Sequence, residues 1–133
     1  MIRFTLDTNV CIDLLRGKNR GIVPRLKRHK NEIAISTIVL AELQHGVFKS
    51  NTPSLNLNIV MDLCMPFEIL PFDELAAEIY GRIRASLERA GTPIAPLDTL
   101  IAAHALALDC TLVTNNDREF RRVDGLAVEN WTA

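Results

Sequence analysis

The sequence predicts an α/β fold: a parallel sheet of four to five strands with helices on both faces. Three observations predict it. Short apolar runs of strand character take turns with longer segments of helical period along the chain. At 133 residues the chain can bury a proper core yet stays within one domain, and no linker, repeat or low-complexity stretch divides it. Its composition, 48% apolar and 23% charged, is that of an ordinary soluble globular protein rather than a disordered or membrane chain.

The elements follow in order. Residues 2–6 form a strand in which apolar Ile2 and Phe4 alternate with Arg3 and Thr5, a polar pattern for a strand inside a parallel sheet. Thr8 and Asn9 can cap a helix that runs to Arg16 and stops at Gly17. Pro24 suits the first turn of a second, basic helix ending at Lys30. Residues 32–35 are a short strand, and Ser36 or Thr37 caps a helix to about Val47. Leu55, Ile59 and Leu63, four apart, place a helix over residues 55–65 that Pro66 ends, and residues 67–70 are a third strand. Residues 73–90 form the longest helix, with Leu75, Ile79, Ile83 and Leu87 as one stripe, Glu78 set to pair with Arg82, and Gly91 as the stop. After a loop holding Pro93 and Pro96, Asp98 caps a helix to about Leu108 that is apolar nearly all round and therefore buried. Residues 111–114 make a fourth strand, and residues 126–129 a short fifth.

Several function classes are excluded. The longest apolar stretches carry charges and are too short to span a bilayer, and no basic–apolar leader opens the chain. Cys11, Cys64 and Cys110 are isolated and odd in number, which predicts reduced thiols in a cytoplasm rather than a disulfide framework or zinc site. The net charge of −1 gives no global pull towards nucleic acid. Charge is nevertheless uneven: seven of the fifteen basic residues lie between Arg16 and Lys30, and Arg118, Arg121 and Arg122 form a second group. Such runs are most often solvated helix faces; beside an acidic pocket they would be a phosphate-contacting rim.

The chemistry rests on acids scattered through the sequence, each at the end of an element or on an apolar helix face. Asp7 closes the first strand, where sites of parallel sheets form. Glu42 shares a helical face with Ile38 and Val39 and has no Lys or Arg three or four residues away, so it needs a distant partner or an ion. Asp98, alone, reads as a helix cap. Asp117 ends the turn-like Thr114-Asn115-Asn116-Asp117, and Glu119 competes with it. Acids in apolar surroundings require compensation, and a hard divalent cation held by oxygen ligands provides it. Together the four predict a magnesium-dependent enzyme, with manganese as an alternative, acting on phosphate esters. No histidine base is needed: His29, His45 and His104 read as structural or exposed. The chain lacks G-x-x-x-x-G-K-[ST], G-x-G-x-x-G, G-x-S-x-G, C-x-x-C and H-E-x-x-H. The absence of any lysine after Lys49 argues against a phosphorylated receiver domain.

Four ordered segments, L-D-T-N-V-C-I-D from Leu6, S-T-I-V-L-A-E-L-Q-H-G from Ser36, G-T-P-I-A-P-L-D-T-L-I-A-A-H-A from Gly91 and L-V-T-N-N-D-R-E-F-R-R-V from Leu112, resemble the PIN-domain ribonucleases. Within those, the chain is similar to the VapC toxins of bacterial type II toxin–antitoxin systems, over essentially its whole length. The terminal G-L-x-V-E-N-W, with Trp131, is similar to VapC toxins that cut initiator tRNA in the anticodon loop.

The resemblance implies a PIN-like α/β/α sandwich over residues 1–133 in the cytoplasm. It implies Asp7 and Asp98 as direct Mg2+ ligands, with Glu42 completing the cluster. Many PIN domains carry the fourth acid two residues after the threonine; here Asn116 holds that spacing and Asp117 is one later. Asp117 is the expected fourth acid and Glu119 its competitor, with Asn9, Thr114 and Asn115 in support. The implied reaction is metal-assisted attack of water on the scissile phosphate, leaving a 5′-phosphate and a 3′-hydroxyl. The implied partners are RNA, a second copy in a homodimer, and a VapB antitoxin whose tail covers the site, often with an Arg among the carboxylates. Two other readings stand beside it: a PIN nuclease of RNA processing or DNA repair without an antitoxin, and a non-catalytic module.

Overall fold

The computed structural model describes residues 1–132, with all five strands parallel. The elements are β1 (Phe4–Leu6), α1 (Thr8–Leu15), α2 (Val23–Arg28), β2 (Ile33–Ser36), α3 (Thr37–Lys49), α4 (Pro53–Cys64), β3 (Glu68–Leu70), α5 (Glu74–Arg89), α6 (Pro96–Ala107), β4 (Thr111–Val113), α7 (Asp117–Phe120) and β5 (Val128–Glu129). The strand order is β3-β2-β1-β4-β5. Phe4 sits opposite Ile33 on one side and Thr111 on the other, and Leu6 opposite Val113. The chain leaves β1 towards β2 and β3, then crosses back to lay β4 on the other side of β1. That reversal opens a crevice past the carboxyl ends of β1 and β4. Among the described residues no helix is long and apolar enough to cross a membrane.

The polar alternation of the first strand has a clear outcome. Arg3 falls just before β1 and pairs with Glu32 at 2.8 Å. Thr5 is in the middle of the central strand, and its buried hydroxyl has no partner among the described residues. An unmade buried hydrogen bond costs about 1–3 kcal/mol, which the packing of Phe4, Leu6, Ile33, Ile35, Leu112 and Val113 around it must offset.

Four helix expectations change. The cap of α1 is Asp7 itself, whose side chain accepts from the Val10 N–H, and not Thr8 or Asn9. The helix α6 starts at Pro96 with Ala95 as its cap, two residues before Asp98. Pro96 supplies the fixed φ of a first turn, so Asp98 rides in that turn without capping it. Of the α4 stripe, Leu55 and Ile59 face solvent while Leu63 packs against the core beside the buried Val60 and Cys64. That helix carries apolar residues on several faces, and it packs against α3 and α1. Leu75, at the start of the α5 stripe, is likewise exposed, while Leu87 near its end is buried. The three cysteines are free and buried.

Two aromatic-bearing clusters tie the layers. His104, 2% exposed on α6, hydrogen-bonds through Nδ1 to the Ser36 hydroxyl at 2.7 Å. Ser36 in turn caps α3 by accepting from the Ile38 N–H at 3.0 Å. The helix bearing Asp98 is thus bolted to the first turn of the helix bearing Glu42. At the carboxyl end of the chain, Trp131 packs edge-on to Phe4, donates to Glu129 at 2.9 Å and lies under the Arg25 guanidinium.

Candidate active site

The site is built at the crevice beside β1. Asp7 is 2% exposed. Its backbone N–H bonds the Val113 carbonyl at 3.0 Å, which locks the end of β1 to the end of β4. One carboxylate oxygen caps α1, and the other accepts from the hydroxyl of Thr114, a residue with no exposed surface just past β4. The Thr114 oxygen also accepts from the Asn116 N–H at 2.9 Å. Burial pushes the Asp7 carboxyl up to about 6; the Thr114 and Val10 hydrogen bonds oppose this, and the charges of Asp13 and Glu42 add to it.

Glu42 finds its distant partner in Thr8, thirty-four residues earlier, whose hydroxyl donates to it at 2.8 Å. Asp98 is half-buried, and no donor among the described residues bonds its carboxylate. Its carboxyl is also pushed up to about 6, first by burial and then by the charges of Glu119, Asp7 and Glu42. Four acids from four separate segments therefore share one electrostatic environment. None of them forms an ion pair among the described residues.

The fourth of these acids is Glu119 and not Asp117. Glu119 accepts from the Ala95 N–H at 3.4 Å and from Asn116 Nδ2 at 2.5 Å, which places it at the entry of α6 near Asp98. Asp117 turns to the other side of α7, where Asn130 and Arg121 hold it at 3.2 and 3.4 Å. Those two partners keep its carboxyl below the usual range, Asn130 most of all. Of the supporting residues, Thr114 touches Asp7, while Asn115 donates to Asp13 at 2.9 Å and Asn9 is exposed on α1. Asp13 is the residue that the sequence reading missed. It accepts from both Asn115 and Asn19 and adds negative charge beside Asp7. It lies within the L-D-T-N-V-C-I-D segment, but six residues from Asp7 it has no periodic relation to it.

Among the described residues no three His, Cys, Asp or Glu side chains converge into a ready-made ligand shell for a metal ion. A hard divalent cation does not need one, because it takes one or two carboxylates and keeps several waters. The donor set fits that demand. It is all oxygen, it is net negative with no counter-charge, and Asp98 has free lone pairs facing three other acids. Asp7 and Asp98 could hold such an ion, with Glu42 and Glu119 beside it.

The model of the PIN domain matches residues 4–126 of this chain. The chain is 39% identical to the tRNA(fMet)-specific endonuclease VapC of Shigella flexneri, over 99% of this chain and 100% of that protein. It is 42% identical to the protein of the same name from Salmonella typhimurium, over 98% and 99%. Among solved structures, it superposes on the DNA-bound VapBC complex of Salmonella typhimurium with a TM-score of 0.95 at 42% identity, covering 98% of this chain and 99% of that one. It superposes on VapBC2 of Rickettsia felis bound to promoter DNA with a TM-score of 0.92 at 40% identity, again over 98% and 99%. Sheet order, crevice and near-complete coverage agree: the chain belongs to the PIN-domain family, in its VapC branch.

Proposed function

We propose that this protein is the toxin of a toxin–antitoxin pair, a metal-dependent endoribonuclease that cuts initiator tRNA in its anticodon loop and so stops translation. PIN-domain nucleases are in general metal-dependent. The observation that carries the reading is that Asp98, at the start of α6, feels the charges of Glu119, Asp7 and Glu42, and that none of the four acids is paired with a Lys or Arg among the described residues. Relatives named as tRNA(fMet) endonucleases and as ribonucleases support the substrate class. Neighbours solved as VapBC complexes support a VapB-type antitoxin as partner.

Asp7 and Asp98 would hold the ion, Mg2+ or Mn2+, which when bound would supply Lewis-acid activation of water and neutralisation of charge on the phosphate. The residues of the chain do the positioning. Thr114 and the Val10 N–H fix the two Asp7 oxygens, so that carboxylate cannot rotate away. Thr8 fixes one oxygen of Glu42 and leaves the other free to orient a water. Asn116 and the Ala95 N–H hold Glu119 beside Asp98. Such preorganised charge, together with alignment of water and phosphate, provides most of the rate in phosphoryl chemistry. The protein works in the cytoplasm as a homodimer, and the solvent-facing Leu55, Ile59 and Met61 of α4 offer apolar surface for protein partners.

The test is to map cleavage sites in total tRNA with wild type beside Asp98→Asn and Asp7→Asn. The expected result is a single anticodon-loop cut by wild type in Mg2+ or Mn2+, absent in both variants and in excess EDTA. Scattered cuts would favour a general nuclease of RNA processing, and full activity in EDTA would sink the metal mechanism.

A further inference from the structure

A cleft of about 800 Å³ opens beside Glu42, between α1, α3 and the start of α6. Its walls carry Thr8 and Glu42 at one end and Arg16, His45 and Lys49 towards the other, with Leu97, the neighbour of Asp98, across from them. Arg16 and Lys49 are exposed and make no ion pair among the described residues. Phe48 is 70% exposed. At about 100° per residue it lies about 20° from Ala41 and about 60° from His45, which line the cleft, and about 120° from Glu42, so Phe48 flanks the cleft at its outer edge and does not line it.

We propose that this cleft seats the RNA strand flanking the cleaved bond, with Arg16 and Lys49 on backbone phosphates and Phe48 stacked under a splayed base. The inference rests on the ribonuclease reading and adds to it a substrate track. From Glu42 to Lys49 the helix rises about 10 Å, the reach of roughly three stacked nucleotides at about 3.4 Å each. The order along α3 is what a strand cut at the acids requires: carboxylates where the phosphate reacts, then cations that find further phosphates. Unpaired cations beside an exposed aromatic are the ordinary means of gripping single-stranded RNA, since every base has a face to stack and every nucleotide a charge. A wholly apolar partner segment would leave both cations unmatched.

The test measures binding without cleavage: anisotropy of a short labelled single-stranded oligoribonucleotide in excess EDTA, over a salt series. Arg16→Gln and Lys49→Gln are each expected to weaken binding several-fold and to flatten the dependence of log Kd on log salt by about one. Phe48→Ala is expected to weaken it roughly tenfold, while Phe48→Tyr keeps it. In Mg2+ the same variants raise KM for total tRNA by more than they lower kcat. Wild-type affinity and salt slope in all three disruptive variants, with wild type still cutting tRNA, would overturn the track and leave the ribonuclease reading standing. The same holds for variants that lose only self-association by light scattering, which would make the face a contact between protein copies. A wild type that neither binds nor cuts RNA rejects the ribonuclease reading and the track together.

Discussion

Replacing Asp7 by Asn should abolish cleavage and yet make the metal-free fold more stable at neutral pH. Asn caps a helix as well as Asp; its oxygen keeps the Val10 contact, and its NH2 meets Thr114 once that hydroxyl turns from donating to accepting, so the exchange alters charge more than shape. The charge is what the fold resists. Asp7 rises from 3.8 to about 6, with burial as the leading cause. Below pH 3.8 the carboxyl is neutral in both folded and unfolded chains and nothing is lost. Between 3.8 and about 6 the unfolded chain gives up the proton while the folded one keeps it, so stability falls as pH rises. Above about 6 the penalty is complete, and a shift of this size corresponds to at most about 3 kcal/mol.

The assay is urea unfolding in excess EDTA for wild type and Asp7→Asn, from pH 4 to pH 8. The variant should gain on wild type as pH rises to about 6, hold the advantage above it, and lose it near pH 4. Adding Mg2+ at about a hundred times its Kd should return about 2.7 kcal/mol to wild type, with much less gain for the variant. A variant less stable than wild type at pH 8 and equally so at pH 4 would refute the reasoning. It would mean that Asp7 is a satisfied cap and not a charge waiting for a cation.

The remaining predictions use the neighbouring contacts. Glu119→Gln should lower kcat on tRNA by about a hundredfold, the scale of losing one electrostatic contributor, while Asp117→Asn keeps most of the activity; the reverse order would return Asp117 to the site. Thr114→Val removes a donor that holds the Asp7 carboxyl down, so the acid limb of the pH–rate profile should move to higher pH, and unfolding should show a loss of about 1–3 kcal/mol. Burial lowers the pKa of His104 from 6.5, so the unfolded chain binds the proton more readily and stability should fall as pH drops below 6.5; His104→Gln should flatten that acid-side fall in thermal unfolding, and an unchanged slope would remove His104 as its source.

The fold was legible because its signals are local and redundant. Each strand of the sheet was bounded within a residue or two, since apolar runs such as Ile33–Ile35 and Leu112–Val113 end at residues that cap or turn. What failed was orientation. The spacing of Leu55, Ile59 and Leu63 marks a helix correctly, but α4 is apolar on more than one face, and periodicity cannot say which of them a neighbour will cover. The same limit hid the first turn of α6: Asp98 is a good cap by type, and only the placement of Pro96 ahead of it moves the start of the helix. That displacement matters to the chemistry. An Asp98 spent on capping would have its oxygens turned to its own backbone, whereas three residues past the cap its carboxylate is open to an ion.

The choice between Asp117 and Glu119 shows where sequence reasoning ends in the site itself. On a helix, Asp117 lies about 60° from the buried Phe120, and Glu119 about 100° from it. Periodicity therefore favours Asp117 as the inward acid. The decision is made by partners far away in the sequence and from different elements. Asn130, past β5, and Arg121 draw Asp117 outward, while the Ala95 N–H at the entry of α6 receives Glu119. Asp7 and Glu42 needed no such arbitration, because a strand end or an apolar helix face fixes where they point. A carboxylate on a helix of four residues has no such frame, and its role follows from whichever donor the rest of the fold brings within reach. The separate removal of Asn130 and Asn116 would expose that dependence. Asn130→Ala should free Asp117 without changing kcat, whereas Asn116→Ala should loosen Glu119 and lower it, and equal effects of the two would undo the assignment.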